Sequence, residues 1–203
     1  MSFINTRAPI DLGGIGERTT LDGLIDGTLT EFKDNMGITI NKNEILRSHT
    51  GLKTLVLPNI TLSYGSFLGC TSLITARYGW AGSTNQFNGC TSLIAAEARG
   101  LNQATFSGCT KFNILVLRST GTITLGNISC FNNTPFASGK AGGTLYVPES
   151  RISSYQSATN WSTILGYANN QIKSIESTHT DPVIIQGVPI DLTLYYIDGE
   201  PIG

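Results

Sequence analysis

Apolar residues recur along the middle of the chain at the spacing L-x-x-L-x-L, in four places that align with one another. They are Leu52, Leu55 and Leu57; Leu73, Ala76 and Tyr78; Leu93, Ala96 and Ala98; and Phe112, Leu115 and Leu117. The last part of each pattern alternates apolar and other residues, which predicts a short strand whose alternate side chains point inward. Ahead of three of these strands stand near-copies of one another, Phe67-Leu68-Gly69-Cys70-Thr71-Ser72, Phe87-Asn88-Gly89-Cys90-Thr91-Ser92 and Phe106-Ser107-Gly108-Cys109-Thr110-Lys111. A degenerate fourth copy has Leu46 at the Phe position and His49 at the Cys position. Self-similarity at a period of 20 and then 19 residues marks a solenoid, in which each unit buries its apolar side only against its neighbours. The Phe-x-Gly-Cys segment is expected to turn the chain and plug the core, with successive strands stacked about 4.8 Å apart.

These units resemble the BspA-like leucine-rich repeats of surface proteins from gut and oral bacteria and of phages that infect them. The later segments Phe131-Asn132-Asn133-Thr134-Pro135-Phe136, Gly143-Thr144-Leu145-Tyr146-Val147-Pro148, Tyr155 to Trp161 and Ile172-Lys173-Ser174-Ile175 are similar to the ending of such arrays, where a final strand precedes a short helix and an Asn-Trp turn. The resemblance spans roughly residues 28–176. It implies a mainly β leucine-rich repeat solenoid with a C-terminal cap of strand, short helix and strand. No catalytic residues come with it, and the partners of the family vary.

Composition changes the picture in one respect. Charged residues make up only 13% of the 203 residues and the net charge is -1, which argues against nucleic acid or an anionic membrane as partner. Thr, Ser, Asn and the 23 glycines supply the polar surface and the turns. The opening Met1 to Pro9 lacks a basic start followed by an apolar run, and no stretch reaches the roughly 18 apolar residues of a membrane span. That favours a protein made in the cytoplasm and not inserted into a membrane.

Candidate chemistry is sparse. Cys70, Cys90 and Cys109 share one repeat position and are expected to form an inward ladder of small buried hydrophobes. Neighbouring rungs lie within disulfide range, but parallel side chains and cytoplasmic synthesis oppose a bridge, and Cys130 falls outside the ladder. His49 and His179 are the only imidazoles, one at a plug position and one in a polar tail, so the chain is expected not to be an enzyme. Gly13-Gly14-Ile15-Gly16 lacks the strand, helix and Lys of a phosphate loop, and Asp22 to Gly27 lacks the ligand spacing of a calcium loop. Neither a cofactor nor a metal is called for.

Two surfaces remain. Between the inward positions lie the outward rows Thr54, Thr75, Ala95, Ile114 and Val56, Arg77, Glu97, Val116, with Arg99 and Arg118 one step beyond and Trp80 just after its strand. Arg77, Trp80, Glu97, Arg99 and Arg118 are therefore the candidate binding surface. The alternative is that Arg77 and Glu97 merely pair across rungs. The chain divides into an N-terminal arm, residues 1–27, the solenoid with its cap, residues 28–176, and a C-terminal arm, residues 177–203. In that last arm Ile190, Leu192, Leu194 and Tyr196 alternate with Asp191, Thr193, Tyr195 and Ile197, after Val183-Ile184-Ile185 and a Gly187-Val188-Pro189 turn. A strand with Ile190, Leu192, Leu194, Tyr195 and Tyr196 on its two faces is expected to pair with the N-terminal arm or a neighbouring subunit.

The expectation is a non-enzymatic structural and binding protein, a bacteriophage virion component of tail, baseplate, fibre or capsid surface. Its partners would be other virion proteins or copies of itself, with a host-surface glycan or protein as ligand. The alternative is an adhesin or ligand-binding module on a bacterial cell surface.

Overall fold

The computed structural model describes residues 30–33, 39–40, 43–44, 46–81, 83–136, 142–164, 171–176, 183–185, 188–190, 196–197 and 200–201. Its main sheet is parallel and its strands follow one another in chain order, the arrangement of a β-solenoid of about three turns with few helices. The strands are β1 (Glu31–Lys33), β2 (Thr39–Ile40), β3 (Thr54–Leu62), β4 (Thr75–Ala81), β5 (Ala95–Ala98), β6 (Ile114–Leu117), β7 (Thr144–Val147) and β8 (Ile172–Ser174). Cα partners run in straight rows across them, as in Leu55, Ala76, Ala96, Leu115, Leu145 and Ile172. β3 is longer than the four-residue strands and passes through Pro58, where no N–H is available for the ladder. Pairing with β4 accordingly shifts between Leu57 and Thr61 and resumes at Thr61 and Trp80, while β2 pairs with the far end of β3.

The opposite side of the stack is built from turns that bond to one another. Phe67 N–H donates to the Gln86 carbonyl at 2.9 Å, Phe87 to Thr105 at 2.9 Å and Phe106 to Cys130 at 2.9 Å. Gly69, Gly89 and Gly108 sit at φ of 72°, 74° and 76° and likewise donate to the next rung, at Asn88, Ser107 and Asn132. That left-handed conformation is the reason glycine stands there. Phe67, Phe87, Phe106 and Phe131 stack face to face at centroid spacings of 5.6, 5.8 and 5.9 Å, all fully buried.

After β7 come two short helices, α1 (Ile152–Ser157) and α2 (Trp161–Ile164), before β8. They satisfy the irregular stretch that follows β6. The Tyr155 hydroxyl accepts from Ile123 N–H at 2.9 Å, the Trp161 indole donates to the Ile123 carbonyl at 2.8 Å, and Asn160, at φ 68°, donates its side-chain amide to the Leu125 carbonyl at 2.7 Å. In the C-terminal arm β9 (Val183–Ile185) pairs antiparallel with β10 (Val188–Ile190), so Val188 and Pro189 lie in a strand rather than in the expected turn. β11 (Tyr196–Ile197) pairs with β12 (Glu200–Pro201). Leu192, Leu194 and Tyr195 of the expected arm strand lie outside the described residues.

Candidate functional site

The outward rows occupy the register that the repeat spacing predicts. Arg77 on β4 stands directly opposite Glu97 on β5, and Glu97 opposite Val116 on β6. Parallel strands place such neighbours within reach of long side chains, and a residue two positions further along is reachable on the diagonal. Glu97 uses both reaches. Its Oε1 lies 3.4 Å from Arg77 Nε and its Oε2 lies 3.3 Å from Arg118 Nε, which comes from just beyond β6.

These three side chains are not a solvated display. Glu97 and Arg118 are buried, with side-chain exposures of 7% and 5%, and Arg77 retains 13%. The reading of them as exposed is corrected: they face outward from the stack but are covered, and the carboxylate is held between two guanidinium groups. Burial pushes the Glu97 carboxyl up from its ordinary value, against a downward pull from Arg77, Arg118 and Arg99. Arg99 is half-buried and its backbone N–H donates to the Gly79 carbonyl at 3.0 Å. Trp80 takes its place at the end of β4, opposite Thr61.

Beside the charged trio lies a second apolar cluster, separate from the core: Ile94, Ala95, Ile114, Val116, Tyr146 and Ile175, with Ile74 packed against it. Both faces of β5 and β6 are thus buried, every residue of the two strands included.

The thiols prove to be hydrogen-bonded as well as buried. Cys70 Sγ donates to the Leu46 carbonyl at 3.1 Å, Cys90 to Phe67 at 3.2 Å and Cys109 to Phe87 at 3.0 Å, in each case the Phe-position carbonyl one rung back. All four cysteines are free, with no disulfide among them. Cys130 has a register after all. Its carbonyl receives Phe106 N–H just as Thr105 receives Phe87, so it occupies the position of Ser66, Gln86 and Thr105, immediately before Phe131. The signal was present in the sequence, since Cys130-Phe131-Asn132-Asn133-Thr134 aligns with Thr105-Phe106-Ser107-Gly108-Cys109. Burial pushes the Cys130 thiol up to about 12, and burial also raises Cys90, while the neighbouring Cys90 thiol and then burial raise Cys70. Thiols held protonated in this way are poor nucleophiles. His49 Nδ1 accepts from Leu52 N–H at 3.0 Å, doing for its rung what the Cys70 carbonyl does for Leu73.

Among the described residues no group of three His, Cys, Asp or Glu could hold a metal, and no helix is long and apolar enough to cross a membrane. An open groove on the turn side is lined by Gly108, Thr110, Asn133, Thr134, Pro135 and Gly142, none of them ionisable. No protein-family model, no curated protein and no solved structure matches the chain.

Proposed function

We propose that the chain is a non-enzymatic structural and binding protein, built on leucine-rich repeats of the BspA-like kind and closed by a C-terminal cap, and that it serves as a bacteriophage virion component. One observation carries its structural, non-enzymatic part. Reactive groups along the stack are committed to its own bonds: three thiols donate to carbonyls one rung back, Glu97 lies between Arg77 and Arg118 of neighbouring rungs, and His49 accepts a backbone N–H within its rung. A stack so committed offers rigidity and a repeating surface rather than a poised nucleophile or base. The cap is supported by Tyr155, Asn160 and Trp161, which tie down residues 123–125 and bring an aromatic pair onto the end of the Phe stack, with Phe131 and Trp161 centroids 5.9 Å apart.

Gradient fractionation of lysates from producing cells tests the proposal. Banding of the polypeptide with intact particles at a fixed copy number is the expected result. Release from whole cells by surface proteolysis would replace it with the cell-surface adhesin, and recovery only as free protein would overturn both.

A further inference from the structure

Among the turns of the stack, one carries chemistry that the fold itself holds in check. Asn88-Gly89 is the single place in the sequence where glycine follows asparagine. The equivalent pairs are Leu68-Gly69 and Ser107-Gly108, which have no carboxamide, and Asn132-Asn133, whose second residue carries a Cβ. The carboxamide carbon of an asparagine is open to attack by the backbone nitrogen of the next residue, and a glycine there leaves that nitrogen unshielded. In the closed stack neither partner is free to react. Gly89 N–H donates to the Ser107 carbonyl at 2.8 Å, and the Asn88 amide is engaged as well, its Nδ2 donating to Asn85 Oδ1 at 3.3 Å. The Asn88 carbonyl accepts from Gly69 N–H at 2.8 Å, and Gly89 is fixed at φ 74°. Asn88 is only half-buried, so water reaches it.

We propose that Asn88 is a self-modification site gated by the opening of its own rung. When the turn at residues 87–90 separates from that at 106–109, the Gly89 nitrogen gives its proton to water and bonds to the Asn88 carboxamide carbon. The bond from that carbon to Nδ2 breaks, and ammonia leaves. Water then opens the cyclic imide at either carbonyl to give aspartate or isoaspartate, with no oxidant, metal or enzyme consumed. Isoaspartate runs the main chain through one extra methylene, at the point where residues 88 and 89 bond the rungs on both sides. There is little room for it, since a Cβ at residue 108 would already lie 4.0 Å from Asn88 Oδ1. Aspartate replaces the Nδ2 donor to Asn85 by a second acceptor. Either product fits the closed stack less well, so a reversible opening becomes a permanent one. The virion reading plays no part in this inference.

Peptide mapping by mass spectrometry tests it on the full-length protein, kept at mildly alkaline pH with and without urea. In urea the peptide containing Asn88 should convert from amide to acid and separate into two products, and in native buffer the conversion should be about tenfold slower or more. Equal rates in the two conditions, or no conversion in urea, overturn the proposal. Two glycine substitutions locate the lock. Gly108→Ala brings a Cβ to 3.4 Å from Gly89 N, whereas Gly69→Ala imposes the same left-handed strain but meets Ser48 instead. Conversion in native buffer about threefold faster or more in Gly108→Ala than in Gly69→Ala is expected, and equal rates overturn the gating by this rung. Should either variant not fold, the parent decides through low urea: conversion that rises less steeply than global unfolding marks the local opening, and conversion that tracks global unfolding overturns it.

Discussion

The turn side of the stack and the outer face of its sheet are made by the same rungs but obey different rules. On the turn side three successive rungs repeat one solution, a Phe in the aromatic stack, a glycine at positive φ, and a thiol bonded to the carbonyl one rung back, and the rungs on either side vary it only at single positions, with Leu46 and His49 before them and Thr134 after. On the outer face the rungs differ in size and charge: the row through Glu97 reads Val56, Arg77, Glu97, Val116, Tyr146 and Lys173. Positions that must fit a copy of themselves on the next rung are held to one pattern, whereas outward positions meet different side chains on each rung, as Glu97 meets Arg77 and Arg118.

The sharpest way to break the turn side is Phe87→Ala. Phe87 is fully buried between Phe67 and Phe106, and its neighbours above and below are themselves held by backbone bonds, so the cavity cannot collapse. A loss of about 3–5 kcal/mol is expected in a denaturant melt. A loss below about 1 kcal/mol would mean that rungs adjust independently of one another.

On the outer face the matching substitution is Val116→Ala. At 1% exposure it should cost about 1–3 kcal/mol, because two buried carbons are lost from an apolar cluster that relaxes only in part. An open face would give a change within about 0.5 kcal/mol, the ordinary range for surface positions. This one measurement places the outer face among cores or among surfaces.

The contrast also explains what was legible in the sequence. Strand positions and register followed from L-x-x-L-x-L because inward residues of every rung meet the same neighbours, and Leu55, Ala76, Ala96 and Leu115 do align. The Phe-x-Gly-Cys units likewise announced a turn, since glycine at positive φ is needed in each. Donation by the thiols was not legible, because Cys behaves as a hydrophobe in most buried sites and the acceptor carbonyl becomes visible only in three dimensions. Burial of Glu97 and Arg118 was hidden for a different reason. A polar residue at an outward position reads as solvated, and nothing local in residues 95–98 or 114–118 tells what lies above them. Arg118 in particular reaches Glu97 on the diagonal, a pairing that a straight row of partners does not suggest.

Inside the stack one polar group interrupts the regularity. Tyr78, on β4, packs against Phe87 and Phe106, and its hydroxyl is buried without a hydrogen-bond partner among the described residues. Burial raises that phenol well above its ordinary value, with the nearby Cys130 and Cys109 adding to the effect. Tyr78→Phe removes the desolvated hydroxyl and keeps the ring. A gain of about 1 kcal/mol, seen as a melting temperature higher by a few degrees, is expected. Destabilisation by that substitution would reveal an ordered partner for the hydroxyl.

The outer face carries the corresponding polar group in Glu97, and here the sign of the pH dependence is the test. Burial raises its carboxyl above the unfolded value even with Arg77, Arg118 and Arg99 nearby, so the folded state holds the proton more tightly than the unfolded chain does. Its contribution to stability is therefore fully present below the unfolded value and is lost as the pH rises through the folded one. Glu97→Gln, which fixes the side chain neutral, should match the parent protein in acid and exceed it in melting temperature at neutral pH, the gap opening as the parent's carboxyl ionises. A Glu97→Gln variant less stable than the parent at neutral pH would show that the two arginine contacts, at 3.4 and 3.3 Å, outweigh the burial of the charge they enclose.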